Sequence, residues 1–314
     1  MSSEILTIPE ALSGKRLDQA LAALFPQYSR SRLKRWLLDG AVLVDGERWK
    51  PRDPVQGGET VQLDAVEDVQ VRSAPEAIPL SISFEDEHLL IIDKPPGLVV
   101  HPGAGNPTGT LMNGLLAHHA GLETLPRAGI VHRLDKDTSG LLLVGKTLEA
   151  HTALTRLLAD RDISRRYQAV VNGVLTGGGT IDKPIARHPV DRTRMSVQDN
   201  GREAVTHYTV AERYRAHTLV DVKLETGRTH QIRVHFAWRR HALLGDPVYG
   251  GRLALPKGAS QPLIDALRQF RRQALHAVRL GFEHPMTGEA IDVRAPLPED
   301  LNALLATLKQ DTAA

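Results

Sequence analysis

Residues 129–147 read GIVHRLDKDTSGLLLVGKT, and this stretch decides how the rest of the chain is understood. Two acids, Asp135 and Asp137, stand two apart beside His132, Arg133 and Lys136. Leu141–Val144 follows at once, an apolar run of the length and composition of a buried strand. The carboxylates therefore sit on a loop pinned to the core, where a reactive group is best held. On residue type alone the commoner use of such acids is to cap backbone N–H groups in a turn. Both readings stand at this point.

Outward from that loop, strands dominate. SISF (81–84), LLIID (89–93) and RRYQAVVNGVL (165–175) are aliphatic or β-branched and bounded by turn residues. VTHYTVAERY (205–214) and HTLVDVKLE (217–225) alternate as a long antiparallel hairpin, with Val220, Val222 and Leu224 on one face. Helices are expected over 147–160, over Thr229–Arg240 with Ile232 and Phe236 inward, and over DLNALLATLK (300–309). No segment repeats at a fixed period. The pattern predicts an α+β domain over residues 80–314 with a long mixed, mostly antiparallel sheet.

The N-terminal part is organised differently. Residues 1–13 read as an extension. Residues 14–65 read as a small α/β unit: Leu17, Leu21 and Leu24 repeat at helical spacing until Pro26, and Ser29 suits the N-cap of a second helix whose stripe is Leu33, Trp36 and Leu37, ending at Gly40. AVLV-DG-ERW predicts a hairpin turning at Asp45-Gly46, and GGETVQL a further strand. Lys15, Arg16, Arg30, Arg32, Lys34 and Arg35 face a single acid, Asp18, over residues 14–35. Residues 66–79, with acids and prolines and little periodicity, read as a linker.

Composition excludes several chemistries. The chain has no cysteine, so disulfides, thiolate catalysis and cysteine-based zinc sites are out. The net charge is only +2, so a nucleic-acid surface must come from clustered cations. The 14 histidines include no His-Glu-x-x-His spacing, and the glycine-rich 103–110 run lacks the Gly-Lys-Ser/Thr ending of a phosphate loop. Neither a signal peptide nor a run of about 18 apolar residues is found, and a cytoplasmic location is expected.

Several ordered blocks then carry a resemblance. His132-Arg133-Leu134-Asp135-Lys136-Asp137-Thr138-Ser139-Gly140 resembles the signature loop of the RluA-type pseudouridine synthases. DKPPGLVVHPGAG (93–105), RRYQAVV (165–171), LETGRTHQIRVH (224–235) and GDPVYGG (245–251) resemble that family's other blocks in the same order. Residues 14–63 resemble the small RNA-binding module of a small-subunit ribosomal protein and of tyrosyl-tRNA synthetases.

The resemblance implies that Asp135 is the catalytic carboxylate. Conversion of uridine to pseudouridine breaks the bond from ribose to ring nitrogen, rotates the base and re-attaches it through carbon 5. The reaction involves no redox change and no net hydrolysis, so no cofactor or metal is implied, and one carboxylate serves as nucleophile or as base. The carboxylate must be ionised, which a neighbouring cation favours. The family match assigns that ion pair to Arg228, which by residue type alone reads as a strand-end surface arginine. Tyr167 is expected to stack on the base; by pattern alone it is a core-facing strand aromatic. Arg133 is expected to enter the space left by the flipped base or to contact the flipped nucleotide; the alternative is a loop arginine on a phosphate.

Arg16, Arg30, Arg32, Lys34 and Arg35 are expected to bind RNA phosphates, with Arg187, Arg192 and Arg194 as a weaker second stretch. The implied partner is ribosomal RNA, either 23S rRNA or the pre-large-subunit particle, at a domain IV stem-loop. A monomer is expected. Two rivals stay open: a non-catalytic RNA-binding assembly factor, and a family sibling acting on another RNA such as tRNA.

Overall fold

Strand β6 (Ser139–Gly145) runs directly out of the 129–147 loop, and every one of its residues is buried. Its side chains alternate between two cores. Leu142 and Val144 join a core with Leu90, Ile92, Val220 and Val222, while Leu141 and Leu143 pack on the opposite face with Leu89, Ile91 and Leu154. A continuous apolar run is what a strand covered on both faces requires.

The structure is a computed structural model and describes residues 2–26, 28, 30–65, 74–103 and 105–313. It divides into two units, Met1–Arg72 and Ser73–Ala314.

The first unit contains β1 (Ser2–Thr7), α1 (Leu17–Leu24), α2 (Arg30–Asp39), β2 (Val42–Val44) and β3 (Thr60–Ala65), with strand order β1-β3-β2. The stripe Leu33, Trp36 and Leu37 is buried against Leu17, Leu21 and Phe25. Two sequence expectations change here. Residues 2–7 are not a bare extension but pair antiparallel with β3 along their length. The Asp45-Gly46 turn forms, with positive φ at both residues, but the hairpin closes after the Val44–Glu47 exchange. Strand β2 pairs instead with β3, which sets Leu63 and Val61 opposite Val42 and Val44 in the same buried cluster. The proposed Ser29 cap and linker residues 66–73 lie outside the described residues; 74–79 carry no regular element.

The second unit is built on one large sheet. Its strands are β4 (Ile82–Glu85), β5 (Leu89–Lys94), β6, β7 (Ser164–Asn172), β8 (Gly179–Asp182), β11 (Val205–Arg213), β12 (His217–Leu224), β13 (Leu275–Glu283) and β14 (Ala290–Arg294). The order is β4-β5-β6-β13-β7-β12-β11-β8, with β14 beside β13. Strands β6 and β13 run parallel and the other neighbours antiparallel. Short strands β9 (Ile185–Arg187) and β10 (Met195–Val197) form a separate hairpin. Helices α3 (Leu111–His118), α4 (Leu148–Asp160), α5 (Gln231–Trp238), α6 (Gln261–Gln269) and α7 (Glu299–Ala313) complete the unit. The α+β class and the mixed sheet are as expected. No helix among the described residues is long and apolar enough to cross a membrane.

Candidate active site

The loop from Val131 to Thr138 is held from below by buried polar groups. Lys94, fully buried at the end of β5, donates to the carbonyls of Pro95, Leu98 and Lys136 at 2.8–2.9 Å. Burial pulls this amine down to about 8, with the charges of Asp137 and Asp135 working against the fall. Arg272 donates to the Asp137 carbonyl at 3.2 Å, and Gln273 to the Thr138 hydroxyl at 3.0 Å. His132 Nε2 accepts the Leu143 N–H at 3.0 Å; burial and then the Arg165 charge depress this imidazole to about 3, so it is neutral. Leu134 is buried, Arg133 is exposed, and the Asp135 side chain keeps 16% of its surface exposed. The loop thus turns Asp135 outward from a rigid base.

That carboxylate lies in a cleft of about 780 Å³. Its lining includes Arg133, Asp135, Tyr167, Arg228, His230 and Arg233, with Arg127, Arg165 and Arg202 adding charge. Arg233 Nη1 donates to Asp135 Oδ2 at 2.9 Å. The same guanidinium grips Asp246 in a two-point fork, Nε to Oδ2 at 2.7 Å and Nη2 to Oδ1 at 2.9 Å. Asp246 is in turn fixed by the N–H groups of Val248 and Tyr249 at 2.8 and 3.0 Å. Burial alone would raise the Asp246 carboxyl; the hydrogen bonds and charge of Arg233 hold it below the usual carboxylate range. Burial likewise works against the charge on Arg233, yet Asp246 and Asp135 keep it above the ordinary arginine value. The result is a fixed Asp246–Arg233–Asp135 chain.

This corrects one sequence assignment. The guanidinium beside Asp135 belongs to Arg233, not to Arg228. Arg228 precedes α5, lines the cleft half-buried, and donates from Nε to the Glu203 carbonyl at 2.9 Å. His230, with φ of 57°, turns the chain between them and places Arg233 in the first turn of the helix, facing inward. His230 Nε2 stands 3.8 Å from Asp135 Oδ1, and its Nδ1 meets the Tyr249 hydroxyl at 2.8 Å. Burial lowers the His230 imidazole despite the pull of Asp135. Tyr249 also accepts the Met195 N–H at 2.9 Å and lies under the guanidinium groups of Arg194 and Arg233.

Tyr167 sits on β7, 6% exposed, between core and cleft. Burial raises its phenol, with the Arg165 charge opposing, so the ring is neutral at pH 7. In the first unit Arg16 donates to both oxygens of Asp18 from Nε and Nη2, and Arg35 lies 3.7 Å from Asp39. Lys34 is exposed, while the side chains of Arg30 and Arg32 lie outside the described residues. Of the second basic stretch, Arg187 closes its own hairpin through the Arg192 carbonyl and Arg194 reaches the active site through Tyr249.

Sequence reading missed Arg233, Asp246 and Tyr249 as site residues. The signal available was a lone permanent charge among the Ile232, Val234 and Phe236 positions of the QIRVHF helix start, where an unpaired charge is rarely tolerated.

A carboxylate presented from a rigid loop in an arginine-lined cleft fits chemistry on a base carried by a polyanion. The comparisons agree: the pattern described as RNA pseudouridylate synthase matches residues 88–238, and that of the S4 domain residues 15–61. The chain belongs to the RNA pseudouridylate synthase family and is an RNA pseudouridine synthase, an isomerase. It is 56% identical over 306 residues to the ribosomal large subunit pseudouridine synthase D of Xanthomonas campestris pv. campestris, covering 98% of this chain and 92% of that one. To the protein of the same name from Escherichia coli (strain K12) it is 53% identical, covering 97% and 94%. Among solved structures, human RNA Pseudouridylate Synthase Domain Containing 4 superposes with a TM-score of 0.57 at 26% identity, over 73% of this chain and 93% of that chain.

Proposed function

We propose that this enzyme isomerises uridines of large-subunit ribosomal RNA, with Asp135 as the catalytic carboxylate. One observation carries the reading: Asp135 is locked in place by the Asp246–Arg233 fork through Oδ2, its Oδ1 stands 3.8 Å from His230 Nε2, and the residue lines a cleft rich in guanidinium groups. A carboxylate fixed this way needs no reorganisation when the target nucleotide arrives.

The target is reached by flipping it out of the RNA, which costs a few kcal/mol, and exposed Arg133 beside Asp135 is suited to fill the gap left behind. Tyr167 offers its ring to the uracil, where stacking is worth about 1–3 kcal/mol. Arg228, freed from any role at Asp135, contacts the RNA at the cleft wall. Arg16, Arg30, Arg32, Lys34 and Arg35 of the S4 segment add phosphate contacts. The ribosomal target is supported by the relatives that align over nearly the full chain, each a ribosomal large subunit pseudouridine synthase D. The finer reading is a domain IV stem-loop of 23S rRNA, at uridines 1911, 1915 and 1917, on the RNA or the maturing large subunit, by a cytoplasmic monomer.

Pseudouridine mapping of 23S rRNA from cells with and without this gene tests the substrate. Loss of sites in domain IV is expected; an unchanged rRNA map refutes the substrate. Asp135→Asn tests the chemistry: turnover vanishes while RNA affinity stays within a few-fold, and retained turnover overturns the assignment.

A further inference from the structure

Arg165 is a buried cation with no counter-charge in the described structure. It stands on β7 two residues before Tyr167, so both side chains emerge on the same face of the sheet and line the cleft. It is 6% exposed. Its Nε is buried and has no hydrogen-bond partner among the described residues, and its Nη2 reaches only the Glu225 carbonyl, at a long 3.4 Å. Arg233 is as deeply buried in the same cleft, but its fork is saturated by Asp246 and Asp135. The nearby acids Glu203 and Glu225 are engaged by Arg161 instead. Gly227 lies directly against the Arg165 guanidinium: a Cβ there would sit 2.6 Å from Nη1.

An unpaired guanidinium taken out of water is costly, and a fold retains one where an anion arrives with the ligand. Arg202 and Arg228 line the same cleft and raise the positive potential that such an anion meets. Arg165, Tyr167 and Asp135 line one cleft, and both charges act electrostatically on the Tyr167 phenol.

Building on the reading that uridine is flipped into this cleft, we propose that Arg165 is the receptor for a phosphodiester flanking the target uridine. The planar fork takes the phosphate oxygens while the base rests at Tyr167 and the ribose at Asp135. Arg165 thereby sets how deep the nucleotide enters.

The test uses a synthetic RNA hairpin carrying the mapped target uridine, and two copies in which the phosphate 5′ or 3′ of that uridine is a neutral methylphosphonate. Single-turnover rates and binding are compared for the full-length wild type, Arg165→Gln and Arg165→Lys. In the wild type, one of the two neutral linkages slows conversion about ten- to a hundred-fold, the size of a lost charge-assisted hydrogen bond. Arg165→Gln slows the native hairpin by a similar factor and no longer distinguishes it from that methylphosphonate, within twofold. Should Arg165→Gln fail to fold, Arg165→Lys, which keeps the charge and loses the fork, carries the test: its rate on native RNA falls and its methylphosphonate penalty shrinks. A variant that keeps the full penalty, or a wild type indifferent to both linkages, overturns the proposal. Failure of the wild type to modify the native hairpin sinks the underlying substrate reading instead.

Discussion

Asp246→Asn separates the anchoring of the catalytic carboxylate from its chemistry. The Asp246 side chain is fully buried and accepts four N–H groups, two from Arg233 and two from the backbone of Val248 and Tyr249. Asparagine keeps the volume. With its oxygen in the Oδ1 position it retains three of the four bonds, but its amide then points at Arg233 Nε, donor against donor. Removing one partner of a buried ion pair costs about 3–5 kcal/mol. Arg233 still has Asp135 as a counter-charge, so the lower end, about 3 kcal/mol, applies. For a domain of this size that shifts Tm by about 6–12 °C. The second effect is geometric. Arg233, released on one side, no longer fixes Asp135, and a misplacement of about 1 Å costs on the order of a hundredfold in rate. Calorimetry reads the first effect, and single-turnover release of label from uracil carbon 5 reads the second, with RNA affinity held within a few-fold. The sign with pH follows: the folded carboxyl of Asp246 lies below its unfolded value, so its contribution is present above about pH 4 and is lost as pH falls through the folded value. That acid-labile contribution is absent from the variant. A variant with Tm within 2 °C and rate within twofold of wild type, by roughly the noise of such measurements, refutes the anchoring argument.

Burial depresses His101, His217 and His276 to about 4 and His132 to about 3, so the folded state keeps all four neutral. Their contribution to stability is complete above about pH 6.5 and drains away as pH falls toward 4, a decline that thermal unfolding between pH 7 and 4.5 detects; a flat profile contradicts it. Gly140→Ala tests the parallel seam of the sheet: Gly140 has φ of 106°, and a Cβ there would approach the Ala277 carbonyl oxygen to 2.3 Å and its nitrogen to 2.6 Å. Strands β6 and β13 must then separate, destabilising the unit by more than about 4 kcal/mol; circular dichroism melting checks this, and a variant that melts like wild type refutes the close approach.

What the chain spells out locally, it spelled out well. The apolar run after Ser139 reads as a buried strand because its length and composition are set by immediate neighbours, and Leu141–Val144 are indeed fully buried. The stripe Leu33, Trp36, Leu37 and the alternation Val220, Val222, Leu224 are likewise one-dimensional signals of period 3.6 and 2, and those side chains are buried as the pattern requires. The rigid presentation of Asp135 follows from the same local logic, a loop of acids stapled to that strand.

The choice of arginine for Asp135 is different in kind. Arg228 and Arg233 occupy one short block about as far from Asp135 in sequence, and residue type does not separate them. The left-handed turn at His230 decides it, by starting α5 so that Arg233 faces inward while Arg228 stays on the cleft wall. Asp246 and Tyr249 come from yet another loop, and the parallel pairing of β6 with β13 joins segments separated by more than a hundred residues. Sequence alone marked the strand after Ser139, the stripe of α2 and the alternation of β12, because those depend on neighbours along the chain, while β1, α3, α6, β13 and β14 carried no signal that was read and Asp135 stood apart from Asp137 only through the family resemblance. Only the tertiary structure decided which cation meets that carboxylate and left Arg165, among the described residues, buried without a carboxylate partner, because electrostatic partnership depends on through-space distance.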